Sequence, residues 1–141
     1  MIGKTIEELN IGDWAQFQKT VTETDIYLYA GITGDLNPAH INVEYAKNKH
    51  FKERIAHGML TAGFISAVFG GQLPGPGTVY ISQNLRFLAP VRIGDTIAAR
   101  VEISEIDTEK HRVVFKTTCQ NQDGTIVLSG EAVVSPPKRK K

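Results

Sequence analysis

One cysteine stands among 141 residues, so no disulfide can close within the chain, which fits a reducing compartment. Lys116-Thr-Thr-Cys119-Gln120 surrounds it with strand formers, and Cys119 reads as a small strand residue rather than a nucleophile. No apolar run approaches the ~18 residues of a spanning helix, so no membrane association is expected. The opening Met1-Ile-Gly-Lys-Thr-Ile-Glu-Glu8 lacks a cationic stretch followed by an apolar one, so no secretion signal is expected and the expected location is the cytoplasm. Net charge is also lacking: sixteen Lys and Arg against fifteen Asp and Glu leave +1, which offers no global field for nucleic acid or a membrane surface. There is no repeat and no low-complexity linker.

What is present is ordinary globular material, 41% hydrophobic and 22% charged. A chain of 141 residues makes one domain, able to bury roughly two thirds of its unfolded surface. Residues 1–137 are taken as that domain, and 138–141 (Lys138-Arg139-Lys140-Lys141, after Pro136-Pro137) as a frayed, solvated basic tail.

The two halves differ. Trp14–Val21 alternates after the Gly12-Asp13 turn and reads as a strand. Thr22 or Thr24 can cap a helix over Asp25–Thr33, ended by Gly34 in a left-handed conformation, with Ile26, Tyr29 and Ala30 as its apolar stripe. Asn42 can cap a short helix over Val43–Lys49. Met59-Leu-Thr-Ala-Gly-Phe-Ile-Ser-Ala-Val-Phe69 carries no charge on any face, which predicts a helix buried all round, ending at Gly70-Gly71 before the Pro74 and Pro76 loop. Thr78–Ala89, Asp95–Ile106, Lys110–Asn121 and Thr125–Ser135 read as four meandering strands, with a turn at Gly94-Asp95 and a two-residue hairpin signal at Asp123-Gly124. Strands segregated after one apolar helix predict an α+β fold, an antiparallel sheet wrapped around that helix.

Residues 29–46 carry the chemistry. Asp35 and His40 flank Asn37-Pro38, and on one continuous helix five residues would point them apart. Pro38 forbids that helix and pushes Asn37 toward extended geometry, so both side chains can converge from a tight non-helical bend onto one water. A carboxyl and an imidazole ordinarily titrate near ~3.9 and ~6.5, so near neutrality such a pair is a carboxylate beside a neutral ring. These residue types equally fit an Asx-type turn with a surface imidazole, and by themselves leave both readings standing.

His57-Gly58 precedes the apolar helix, whose first amides lack partners and carry the positive end of the macrodipole. Without a Cβ, Gly58 lets a ligand reach the backbone, which suits an oxyanion donor, although a glycine serving only the turn is the simpler reading. Ser66 is a polar side chain in an otherwise apolar helix; most such serines bond back to a carbonyl one turn earlier, and a substrate contact is the alternative. Asn37, Ser66 and Met59 are the candidate substrate contacts, and Tyr29, Leu36, Met59 and Phe64 the candidates for an acyl pocket. His50 and His111 sit among lysines and arginine and read as solvated. Asp35, His40, His50 and His57 match no standard zinc spacing and no cysteine is near, so no metal site is expected.

Tyr29-x-Gly-Ile-Thr-Gly-Asp-Leu-Asn-Pro-Ala-His-x5-Ala46 resembles the motif of the MaoC-like, R-specific enoyl-CoA hydratases (hydratase 2). The resemblance continues through Ile55-Ala-His-Gly-Met59 and Phe87-Leu-Ala-Pro-Val-Arg-Ile-Gly-Asp-Thr-Ile97 and covers most of the chain in order. It implies a hot-dog fold, a homodimer, and a hydro-lyase that adds water to a trans-2-enoyl-CoA to give the (R)-3-hydroxyacyl-CoA. Asp35 and His40 would activate the water, the Gly58 amide would hold the oxyanion, and Ser66 maps to a serine of the family's central helix. No metal or organic cofactor is implied, coenzyme A being part of the substrate; Arg86, Arg92, Arg100 and Lys116 are the cations available to its phosphates.

Three other functions compete. A 3-hydroxyacyl-thioester dehydratase acting on acyl carrier protein runs the same equilibrium in reverse, and motif residues cannot separate it from the hydratase. A hot-dog thioesterase usually draws a carboxylate from the central helix, and Met59–Phe69 has none. A non-catalytic acyl-CoA-binding module has no need of a water-activating pair.

Overall fold

A computed structural model describes residues 1–139 of the chain; Lys140 and Lys141, the end of the basic tail, lie outside them. After a short 3-10 turn at Ile6–Glu8 come β1 (Trp14–Thr20), α1 (Glu23–Thr33), α2 (Pro38–Ile41), α3 (Val43–Lys47) and α4 (Gly58–Gly71). Four strands follow: β2 (Val79–Phe87), β3 (Thr96–Asp107), β4 (Arg112–Gln120) and β5 (Ile126–Ser135). They form one antiparallel sheet in the order β1-β3-β4-β5-β2, wrapped around α4. This is the α+β arrangement expected from the segregation of strands and helix. Among the described residues no helix is long and apolar enough to cross a membrane.

The core forms where one face of α4 meets the concave side of the sheet. Ile65, Val68 and Phe69 are buried there with Ile97, Ala99, Val101 and Ile103 of β3, the inward half of its alternation. Phe69 meets Phe115 of β4 edge-on, centroids 4.8 Å apart at 67°, a pairing worth ~0.5–1.5 kcal/mol beyond its buried area. On the outer face the Arg100 guanidinium lies 4.0 Å over the Trp14 ring and bonds Glu102, so this cation is occupied.

Several expectations need correction. Helix α4 is not buried all round: Gly63, Ser66, Ala67 and Gly70 are exposed and Met59 is 54% exposed, because a five-stranded sheet covers only one side of a helix in a single chain. The strands do not simply meander, since β2 pairs with β5 and the chain crosses over before β3. The β4–β5 connection spans residues 121–125 rather than two residues, because the Asn121 side-chain oxygen accepts from the amides of Asp123 and Thr125 and closes a longer turn. His111 is half-buried rather than solvated, its Nε2 donating at 2.7 Å to the carbonyl of Pro136, which is buried at the end of the domain.

Candidate active site

The Asp35–His40 segment is set by local caps. Thr22 caps α1 by accepting from the Asp25 amide, and Gly34 ends the helix at φ 81°. Asp35 then folds into an Asx turn, its Oδ1 accepting from the Asn37 amide at 3.3 Å. Pro38 does not exclude helix here: it starts α2 at the first position, where its missing amide costs nothing, and the Asn37 side chain caps that helix through the Ala39 amide. His40 therefore rides on a helical turn rather than a non-helical bend. The break lies in Gly34–Asn37, ahead of the proline.

Extended residues 55–57 receive both groups. His40 Nδ1 donates to the Ile55 carbonyl at 2.7 Å, which leaves Nε2 bare when the ring is neutral. His57 Nε2 donates to the main-chain carbonyl of Asp35 at 3.0 Å. The two imidazoles stack with centroids 4.0 Å apart, and Tyr29 packs on the His57 ring at 4.6 Å. The segment is itself pinned to residues 91–92 by the Ala56 amide on the Val91 carbonyl at 2.7 Å and by the Ile55–Arg92 bridge. Burial holds the His57 ring below the ordinary imidazole range, against the opposing pull of the Asp35 carbonyl.

A cavity of about 490 Å³ opens on these groups. Asp35, His40, His57 and Gly58 line one end, and Thr61, Leu88, Val91 and Leu128 are among the residues of its largely apolar wall. Gly58 is the first residue of α4, whose leading amides have no intrahelical acceptor, and no side chain caps them. A Cβ on Gly58 would stand 2.6 Å from the Phe87 ring, so only glycine fits beneath that ring as it stands.

One donor atom each from Asp35, His40 and His57 lies within 4.8 Å of the others. A single water bonded at ~2.8 Å to two groups spans ~4.6 Å, which this cluster accommodates. The same three are the residues that could hold a metal, but tetrahedral zinc would draw its ligands to ~3.4 Å of one another. A shared ion also needs the two ring planes to meet at it, and rings stacked at 31° run alongside each other instead.

Of the residues expected from sequence, Asp35, His40, Gly58 and Met59 line this one cavity. Asn37 is spent capping α2, and Ser66 lies two turns beyond Gly58 on the exposed face of α4. Phe64 packs edge-on against Phe17 in the core rather than on the cavity, and Leu36 is exposed. Arg92 is held by Glu53 at 2.8 Å and by the Phe51 carbonyl. Sequence reasoning missed His57 as a partner of Asp35, and Thr61 and Phe87 as cavity wall. The signal for His57 was its place beside Gly58 at the head of an apolar helix; for Phe87, the Phe87–Ile97 stretch already singled out.

The sequence profile of the MaoC like domain matches residues 10–124. The chain is 53% identical over 133 residues to a protein of Rhodospirillum rubrum named (R)-specific enoyl-CoA hydratase, covering 94% of this chain and 92% of that one. It is 47% identical to a 3-hydroxybutyryl-CoA dehydratase of Methylorubrum extorquens, covering 94% and 84%. Its fold superposes on the unliganded R-hydratase PhaJ1 of Pseudomonas aeruginosa with a TM-score of 0.92 at 42% identity, covering 97% of this chain and 88% of that one. With the profile matching most of its length, the chain belongs to the MaoC like domain family, in the hot-dog fold.

Proposed function

We propose that this protein is a hydro-lyase that adds water to a trans-2-enoyl-CoA to give the (R)-3-hydroxyacyl-CoA, reversibly and without metal or organic cofactor. The observation that carries the reading is one apolar cavity in which a carboxylate, an imidazole with a bare nitrogen and an uncapped helix amide converge. The thioester carbonyl oxygen accepts from the Gly58 amide, which draws electron density from the conjugated double bond and makes C3 electrophilic. Water between Asp35 and His40 Nε2 attacks C3 while one of its protons passes to the pair, and the pair delivers a proton to C2 as the enolate collapses. The new C3–O and C2–H bonds replace the C2–C3 π bond and one O–H bond of the water, so the addition balances. Charge develops on the enolate oxygen, where the amide and helix dipole favour the transition state over the ground state.

Met59 contacts the acyl thioester from the cavity wall. Ser66 does so from the open face of α4 once a second copy covers it, and Asn37 acts by capping the helix that carries His40. The surface supports a homodimer as part of this reading: β2 has one unpaired edge, and Val79, Tyr80, Ile81, Phe87 and Leu88 stand between 37% and 57% exposed on and beside it. A cytoplasmic location belongs to the same reading, with the single cysteine buried as a thiol. The test is loss of enoyl-thioester absorbance from crotonyl-CoA with chiral analysis of the product. The (R)-alcohol is expected; free thiol released without hydration would replace this reading with a thioesterase.

A further inference from the structure

The geometry points to His57 as a positioning residue for the hydration reaction: through its bond to the Asp35 carbonyl it fixes the water-activating carboxylate relative to the Gly58 amide. The inference rests on the reaction proposed above.

The other described bonds of Asp35 are local. Its amide donates to Thr33 Oγ1 at 3.2 Å and its Oδ1 accepts from the Asn37 amide, so both partners lie within two residues. Asp35 is exposed and its neighbours Gly34 and Leu36 bond only one another or α1 among the described residues, so local bonds shape the turn without locating it. The bond from His57 Nε2 spans 22 positions and ties this turn to the head of α4. Because His57 immediately precedes Gly58, one side chain sets the base and one amide sets the oxyanion, from adjacent residues of the same backbone.

The ring is suited to that task. It is 2% exposed and clamped between Tyr29 and His40, so its orientation is held by packing. A carbonyl only accepts, which places the ring hydrogen on Nε2 and leaves Nδ1 bare. Nδ1 is buried and has no partner among the described residues, as is Thr61 Oγ1 one helical turn on. A histidine retained only for packing would be replaceable there by an apolar side chain, which leaves no polar atom stranded. The ring's one hydrogen bond among the described residues is thus the one it donates to Asp35, and this geometry separates positioning from chemistry: His57 need not touch the water or the substrate.

Two amide variants isolate the bond. His57→Gln places a side-chain N–H where Nε2 now sits, whereas His57→Asn carries the same group too short to reach the Asp35 carbonyl. Initial rates with crotonyl-CoA are measured for both and for the unaltered protein, together with thermal unfolding. H57N is expected to lose about 100-fold in kcat with KM nearly unchanged, the cost of misplacing a group by about 1 Å, while H57Q keeps most of the rate. Equal kcat in the two variants, or a loss confined to KM, would overturn the positioning role. If H57N does not fold, H57M, which fills the ring's volume without a donor, is judged against H57Q by the same criteria. Absence of hydration by the unaltered protein would instead bring down the proposed reaction, and with it this role.

Discussion

Gly58→Ala places the sharpest demand on the proposed oxyanion site. The new methyl carbon would stand 2.6 Å from Cδ1 and Cε1 of Phe87, and ordinary carbon contact begins near ~3.6 Å, so the ring must withdraw by ~1 Å. Phe87 is 55% exposed in the single chain, which gives its ring room to yield. Alanine gains up to ~1 kcal/mol of helix propensity over glycine, which offsets much of that shift. Net stability should stay within ~1 kcal/mol, a displacement of ~4 °C or less in Tm for a domain of this size. Activity should respond quite differently. A thioester oxygen must come within ~3 Å of the amide, and a methyl beside that amide crowds the approach, so the variant keeps its N–H but should lose about 100- to 1000-fold in kcat. Initial rates of enoyl absorbance loss across substrate concentrations, paired with circular dichroism melting, separate the two effects. Wild-type kcat in G58A would refute the oxyanion assignment, and a Tm lowered by ~10 °C or more would refute the claim that the ring yields.

Three further outcomes are expected. Burial depresses the His57 pKa below the ordinary value near 6.5, so between those two values the unfolded chain binds more protons and stability falls with falling pH; Tm should decline below about pH 6.5, and less so in H57Q. Cys119 is fully buried with its thiol pushed up to about 12, so a thiol reagent at pH 8 should label it only after unfolding, and rapid labelling of the native protein would contradict its placement. Gly130→Ala would put a Cβ 1.9 Å from the Asn84 carbonyl oxygen, a backbone atom fixed by β2–β5 pairing, and should destabilise by ~4 kcal/mol or more in denaturant unfolding.

Much of this architecture was legible because its determinants are local. The threonine cap and left-handed glycine of α1 gave both ends of that helix to within two residues, and period-two alternation gave all five strands with small errors at their ends. Pro38 was harder: the same residue that breaks a helix in its interior favours one at its first position, and which applies depends on where the preceding turn ends. The uniformly apolar α4 misled differently, since a sequence records what a helix avoids but not whether sheet or second copy covers it. Strand order was illegible because the β2–β5 ladder joins segments nearly fifty residues apart by backbone hydrogen bonds that any sequence can make.

The site divides along the same line. Asp35, His40 and Gly58 could be singled out because proline and glycine spacing constrains backbone geometry nearby. The links that assemble them, His40 to Ile55 and Asp35 to His57, span 15 and 22 positions and leave no mark in the spacing of either partner. Ser66 was chosen by its polarity within an apolar helix, a signal that does not say which face it occupies.

The central claim is that Asp35 activates a water for addition to an enoyl thioester, and Asp35→Asn tests it most directly. The carboxylate is exposed and its turn can be closed equally by an asparagine oxygen, so the variant should fold and melt like the parent. With crotonyl-CoA, the parent should consume the enoyl absorbance and yield the (R)-alcohol, and the folded variant should be slower by about 100-fold or more. Near-parental turnover by Asp35→Asn would contradict the account at its centre.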